Sequence, residues 1–108
     1  MSEKIVLINF KFTLSESEYE QAVSPLASEF VAVAGLRWKI WLINAADSEA
    51  GGICLFDDES SAQAFLGGPV MARLKSHPAL SEMNVKQFDV LKRETAITHG
   101  PIGAGVRV

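Results

Sequence analysis

Few residues of this 108-residue chain could do chemistry. Asn9, Arg37, His77 and Asp89 are polar groups able to orient or deprotonate a ligand, while Phe10, Trp38, Trp41, Phe65 and Met71 are large side chains able to wall an apolar pocket. His77 is the first candidate for proton transfer, because an imidazole titrates near neutral pH. No Asp, Ser or Cys stands at a spacing that defines a catalytic pair with it, and it precedes Pro78, so a solvated loop histidine is the competing reading. Two separated histidines, His77 and His99, with scattered carboxylates show none of the ligand spacings of a metal site. Gly51-Gly52 lacks the further glycine and lysine of a phosphate loop and reads as a bulge or a close backbone approach. The lone Cys54 has no internal disulfide partner and reads as a small core residue.

The elements that must position these groups follow from local periodicity. Lys4 to Phe12 alternates Ile5, Leu7, Asn9, Lys11 against Val6, Ile8, Phe10, Phe12, a first strand. Ser15-Glu16-Ser17-Glu18 is a capping box opening a helix whose apolar positions Tyr19, Ala22, Val23, Leu26, Phe30 and Val33 share one face. Pro25 inside it predicts a bend or restart near Ser24. Gly35 should end the helix in a left-handed conformation. Leu36 to Ile43 is a second strand carrying both tryptophans, Asn44 to Gly52 a polar loop, and Ile53 to Phe56 a short third strand. Asp57 or Asp58 caps a second helix with Ala62, Phe65 and Leu66 inward, their acidity suiting the positive end of the helix dipole. After Gly67-Gly68-Pro69 a helical piece runs from Val70 to Lys75, and Met83 to Val90 supplies a fourth strand.

This order, βαββαβ, predicts a ferredoxin-like α+β fold: a four-stranded antiparallel sheet with one face on the helices. Strands one and two are apolar on both faces, so the second face also needs covering. An identical sheet from a second subunit is the simplest cover, giving a homodimer through the sheet face with a barrel-like interior. Trp38 and Trp41, three apart on one strand, point to opposite faces, one toward the helices and one toward the partner. Arg37 and Lys39 share the face opposite Trp38, where they could anchor an anionic ligand or pair with Glu49 or Asp89.

The chain reads as one domain over residues 1–98 followed by a Gly-rich tail over residues 99–108, either a frayed end or an arm ordered by the partner. A net charge of −3 with no basic stripe argues against a nucleic-acid partner. No run of apolar residues reaches the length of a signal h-region or a membrane span, so the expected location is cytoplasmic, away from any membrane.

Four stretches in series carry a resemblance: Ala34-Gly35-Leu36-Arg37-Trp38-Lys39-Ile40-Trp41, Glu49-Ala50-Gly51-Gly52-Ile53-Cys54-Leu55-Phe56, the helix from Asp58 to Leu66, and Phe88-Asp89-Val90. Over residues 5–97 the series resembles the YdhR-like family of monooxygenases. That family has G-[FL]-x-W-K-x-W, then E-A-G-G-I-Y-L-F, D-E-x-S-A-x-A-[FY]-L and a late F-D-V. Cys54 departs from the pattern, which has Tyr there. The resemblance implies the dimeric α+β barrel fold, whose members include cofactor-free monooxygenases of polycyclic phenols and quinol-like substrates as well as haem-degrading enzymes. Asn9 with a tryptophan and a histidine is similar to the Asn, Trp and His set of the haem degraders. The tryptophan here comes from the second strand and theirs from later in the chain, so the roles do not transfer.

The expected function is cofactor-independent monooxygenation of a small aromatic, phenolic or quinol-like compound in an apolar pocket between sheet and helices. Such a reaction needs an electron-rich substrate held as an anion, a proton acceptor and exclusion of water. Phe10, Trp38, Trp41, Phe65, Met71 and Arg37 are the expected lining, with His77 and Asn9 as catalytic candidates and neither cofactor nor metal. The alternative is a non-catalytic protein of the same fold that binds a small hydrophobic ligand, and a third is a structural dimer with a filled core. A shared fold does not choose among them.

Overall fold

The computed structural model describes residues 2–102. Strand β1 (Lys4–Phe12) alternates as its sequence requires, with Val6, Ile8, Phe10 and Phe12 buried on one face. Helix α1 (Glu16–Val31) opens on the capping box. The Glu18 N–H donates to Ser15 Oγ at 3.2 Å, and the Ser15 N–H donates to the Glu18 carboxylate at 2.9 Å. The restart expected near Ser24 does not occur, and α1 runs through Pro25 as one helix. A proline removes a single ladder bond, and Pro25 stands on the exposed side, where its ring displaces nothing packed. Ala22, expected to face inward, is exposed as well; Tyr19 and Phe30 are the buried anchors of this helix.

Gly35 adopts φ +79° as expected, and a Cβ there would stand 2.1 Å from Ser61 Oγ, so backbone and space both require glycine. Strand β2 (Leu36–Asn44) follows, then a 3₁₀ turn (Ala45–Asp47) and strand β3 (Glu49–Phe56). The loop is thus shorter and β3 longer than the sequence suggests. Glu49 to Gly52 pair on both sides, with β1 and with β2, because β3 is a central strand. A Cβ on Gly51 would lie 1.9 Å from the Ile8 carbonyl oxygen, which identifies the close backbone approach that reads as a loop in isolation. Asp58 caps α2 (Glu59–Leu66), its carboxylate accepting from the Ser61 N–H at 2.8 Å. Helix α3 (Pro69–Ser76), strand β4 (Leu80–Asp89) and a short α4 (Lys92–Ile97) complete the described chain.

β4 begins before the expected Met83, and its register against β1 shifts between Asn9 and Lys11, where Glu82 takes φ 51°. This bulge is invisible to period-two alternation, because one extra residue breaks the pattern. The sheet order is β2-β3-β1-β4, antiparallel throughout, which is the ferredoxin-like arrangement. The core lies between the helices and the sheet face carrying Phe10, Phe12, Ala50, Cys54 and Phe56. Residues 99–102 pack back onto α4, with the Gly100 N–H donating to the Thr95 carbonyl at 2.8 Å. Residues 103–108, most of the expected tail, lie outside the described residues.

Candidate functional site

The expected site residues divide between the two faces of the sheet. Cross-strand register places Trp41 opposite Gly52 and Gly52 opposite Ile8, so Trp41 faces the helices. Its ring meets Phe30 edge-on at 5.3 Å between centroids. Trp38 pairs with Leu55 on the outer face and donates its indole N–H to the Pro101 carbonyl at 2.7 Å. Trp38 therefore does not line the helix side with Trp41. Phe10, Phe65 and Met71 belong to the buried core between the layers.

Asn9 is exposed on the outer face, in a shallow hollow of about 270 Å³ with Leu7, Leu42 and Gly51. His77 ends α3, and its Nδ1 accepts from the Ala79 N–H at 3.1 Å. Among the described residues no hydrogen bond joins His77 to Asn9. Arg37 sits at the irregularity between Leu36 and Trp38 and pairs with Glu3 at 2.8 Å and Asp57 at 3.5 Å, rather than with Glu49 or Asp89. Asp89 instead accepts from Lys4 at 2.6 Å.

The structure brings forward a group that residue type and spacing had left ambiguous, the Lys39 amine. β2 is an edge strand of the sheet, and Lys39 lies on its helix side opposite Cys54. Its Nζ is 3.9 Å from Cys54 Sγ, 4.1 Å from the centroid of Phe30 and 4.4 Å from that of Trp41. A Cβ on Gly52 would stand only 2.7 Å from the same Nζ, so the missing side chain is what leaves room for the amine. Two aromatic faces, a thiol and a bare strip of backbone enclose it. Burial pushes the Lys39 ammonium below the ordinary lysine range, partly offset by Cys54; burial likewise pushes the Cys54 thiol up, partly offset by Lys39. The aromatic faces favour the cation, but desolvation prevails. An amine so placed can accept a proton or hold an anion.

Access comes from the edge. Rings step outward from the core, from Phe56 to Phe65 at 5.3 Å, Phe65 to Phe30 at 5.6 Å, and Phe30 to Trp41 at 5.3 Å. On the helix side of β2, Trp41 is 38% and Ile43 43% exposed, so the α1–β2 edge is open. Beside the Phe65 ring lies a groove of about 400 Å³ formed by Ala32, Val33, Ala64, Phe65 and Val70. The ion pair between Arg73 and Glu29 stands at its rim. Among the described residues no group of three or more His, Cys, Asp or Glu is placed to hold a metal ion, and no helix is long and apolar enough to cross a membrane.

Comparison with solved structures places the fold. A protein of unknown function from Nitrosomonas europaea, NE2512, superposes with a TM-score of 0.71 at 22% identity, covering 84% of this chain and 91% of that one. SnoaB, a cofactor-independent oxygenase from Streptomyces nogalater, gives 0.67 at 18% identity, covering 83% and 94%. The haem degrader MhuD from Mycobacterium tuberculosis gives 0.62 at 18%, covering 81% and 95%. At such identities these similarities speak to the fold alone. Among curated proteins none matches. The family described as "Putative mono-oxygenase ydhR" matches residues 5–101, nearly the whole chain. The fold and the run of motifs from Gly35 to Val90 thus converge, and the chain belongs to the ydhR mono-oxygenase family.

Proposed function

We propose that this protein is a cofactor-independent monooxygenase of a small phenolic or quinol-like aromatic compound. The observation that carries the reading is the line of rings ending at the half-exposed Trp41, in a chain whose family is that of mono-oxygenases. Flat apolar faces at an open edge suit a planar aromatic ligand, and the fold is shared with SnoaB, itself a cofactor-independent oxygenase. Trp41 and Phe65 are its proposed walls; Phe10 and Met71 back them from the core. Arg37, tied to Glu3 and Asp57, supports the strand that carries Trp41. The outer-face residues Trp38 and Asn9 lie away from this edge.

A phenol can supply all four electrons that dioxygen requires. One oxygen atom leaves as water with the hydroxyl hydrogen and one ring hydrogen of the substrate; the other becomes a carbonyl oxygen, and the phenol becomes a quinone. The protein's part is to deprotonate and orient the phenol and to exclude water.

The protein works in this reading as a cytoplasmic homodimer. Ile40, Leu42 and Phe88 leave apolar surface exposed on the outer face of the sheet, and a second copy would cover it. Oxygen uptake with a series of naphthols and hydroquinones tests the activity. Incorporation of one labelled atom from ¹⁸O₂ into product is expected, with no turnover under anaerobic conditions. Turnover that survives without oxygen, or a ligand that quenches tryptophan fluorescence and yields no product, overturns it; the second result is that of a non-catalytic binding protein.

A further inference from the structure

We propose that the Lys39 amine is the catalytic base of the site, taking the phenolic proton and then holding the oxyanion, with Gly52 as the positioning residue that keeps its space clear. The inference rests on the oxygenase reading and adds a group assigned by geometry. Lys39 Nζ is the basic nitrogen beside the Phe30 and Trp41 rings, on the edge strand where a planar ligand can enter. Its single hydrogen-bond partner among the described residues is the weak acceptor Cys54 Sγ, at 3.9 Å, so donor capacity is left for a ligand. A lysine kept as an ordinary surface cation would have a carboxylate beside it; this one has rings.

Two of the charged groups on these elements are engaged elsewhere. Glu29, next to Phe30 on α1, pairs with Arg73, and Arg37 on β2 pairs with Glu3 and Asp57. Cys54 on β3 is the titratable group that faces Lys39, and burial keeps its thiol protonated to higher pH. Desolvation makes the neutral amine more accessible than in an ordinary lysine.

In the reaction, the phenol O–H bond breaks and its proton passes to Nζ, giving a phenolate against an ammonium. The phenolate gives electrons to dioxygen and forms a carbon–oxygen bond. The resulting peroxide anion takes the proton back from Lys39. The O–O bond then breaks, hydroxide leaves with the ring proton as water, and a carbonyl remains. Lys39 ends neutral, and dioxygen is the only oxidant.

Two measurements on the full-length protein test this. The first uses 4-nitrophenol, whose phenolate absorbs separately from the phenol. Bound to the wild type, it should show the phenolate band at a pH where the free compound is protonated, and Lys39→Met should abolish the band. The second is oxygen uptake with a phenol that the wild type turns over. Lys39→Met and Lys39→Arg should each lower kcat/KM by about 100-fold or more. Activity of Lys39→Arg should return as pH rises through the ionisation of the phenol itself. Gly52→Ala, which displaces the amine, should lower kcat/KM by about 10-fold, less than loss of the base itself.

A wild type without the band, or Lys39→Met and Lys39→Arg turning over within twofold of the wild type, overturns the proposal. Should Lys39→Met fail to fold, the Arg variant decides through its pH profile. If the band depends on Lys39 and no phenol drives oxygen uptake, the oxygenase reading falls and the proton-accepting site stands. If oxygen uptake proceeds without Lys39, the reverse holds.

Discussion

Trp38 donates its indole N–H to the carbonyl of Pro101 at 2.7 Å, tying the outer face of β2 to the segment that follows α4. Leu55, the cross-strand neighbour of Trp38, is fully buried on the same face. Part of that face is therefore shielded within one chain, and the apolar surface left for a partner is narrower than alternation in β1 and β2 implies.

Trp38→Phe keeps an aromatic ring, though a smaller one, and deletes the donor. We expect a loss of about 0.5–1 kcal/mol, the worth of a hydrogen bond near solvent. Faster exchange of the Ile102 N–H, which bonds to Gly100, should accompany it. Urea unfolding and amide exchange measured by NMR check the two parts; an unchanged Ile102 rate would show that Pro101 is held without Trp38.

Arg37 and Glu3 form an ion pair 2.8 Å apart, with side chains only 10% and 8% exposed. Removing Glu3 takes the closest counter-charge from the buried Arg37 guanidinium while Asp57 remains 3.5 Å away, so Glu3→Ala should cost about 2 kcal/mol, less than a fully unpaired buried charge would. The double variant Glu3→Ala/Arg37→Met should recover part of that loss. A thermodynamic cycle from chemical denaturation measures the coupling, and additive single effects would refute it.

Two carboxylates that accept backbone N–H bonds at helix starts set a pH dependence. Hydrogen bonds from Ser15 to Glu18 and from Ser61 to Asp58 hold both below the ordinary carboxylate range. A folded-state value below the unfolded one means stability that is fully present above the ordinary values of 4.5 and 3.8 and is lost as pH falls through the lowered ones. The melting temperature should drop across that acidic window, and Glu18→Gln with Asp58→Asn should flatten the drop.

Ile40, Leu42 and Phe88 are 49%, 39% and 49% exposed on the outer face of a single chain. If a second copy covers them, Leu42→Lys and Phe88→Asp should give a monomer, because an unpaired charge inside an apolar interface is strongly unfavourable. Light scattering on size-exclusion fractions reads the mass directly. A wild type that elutes as a monomer at all concentrations would sink the dimer.

What local chemistry decides was legible in the chain. Ser15 and Glu18 cap α1 through atoms three residues apart, Gly35 takes a conformation open to glycine, and the alternation in β1 names its buried face. The βαββαβ order follows from such short-range rules, and so does the separation of Trp38 from Trp41. Which face each tryptophan takes did not follow, because period two fixes only that they differ, whereas the irregularity at Arg37 and the pairing with β3 choose the side. The same limit hid the early starts of β3 and β4, since Gly51 looks like a loop residue until the neighbouring strands supply its partners, and Glu82 stands at the bulge where one extra residue breaks the alternation. Lys39 shows the limit most plainly. Its neighbours Phe30, Gly52 and Cys54 come from other elements, and only tertiary packing turns a lysine on an edge strand into an enclosed amine, because desolvation depends on what surrounds a group in space.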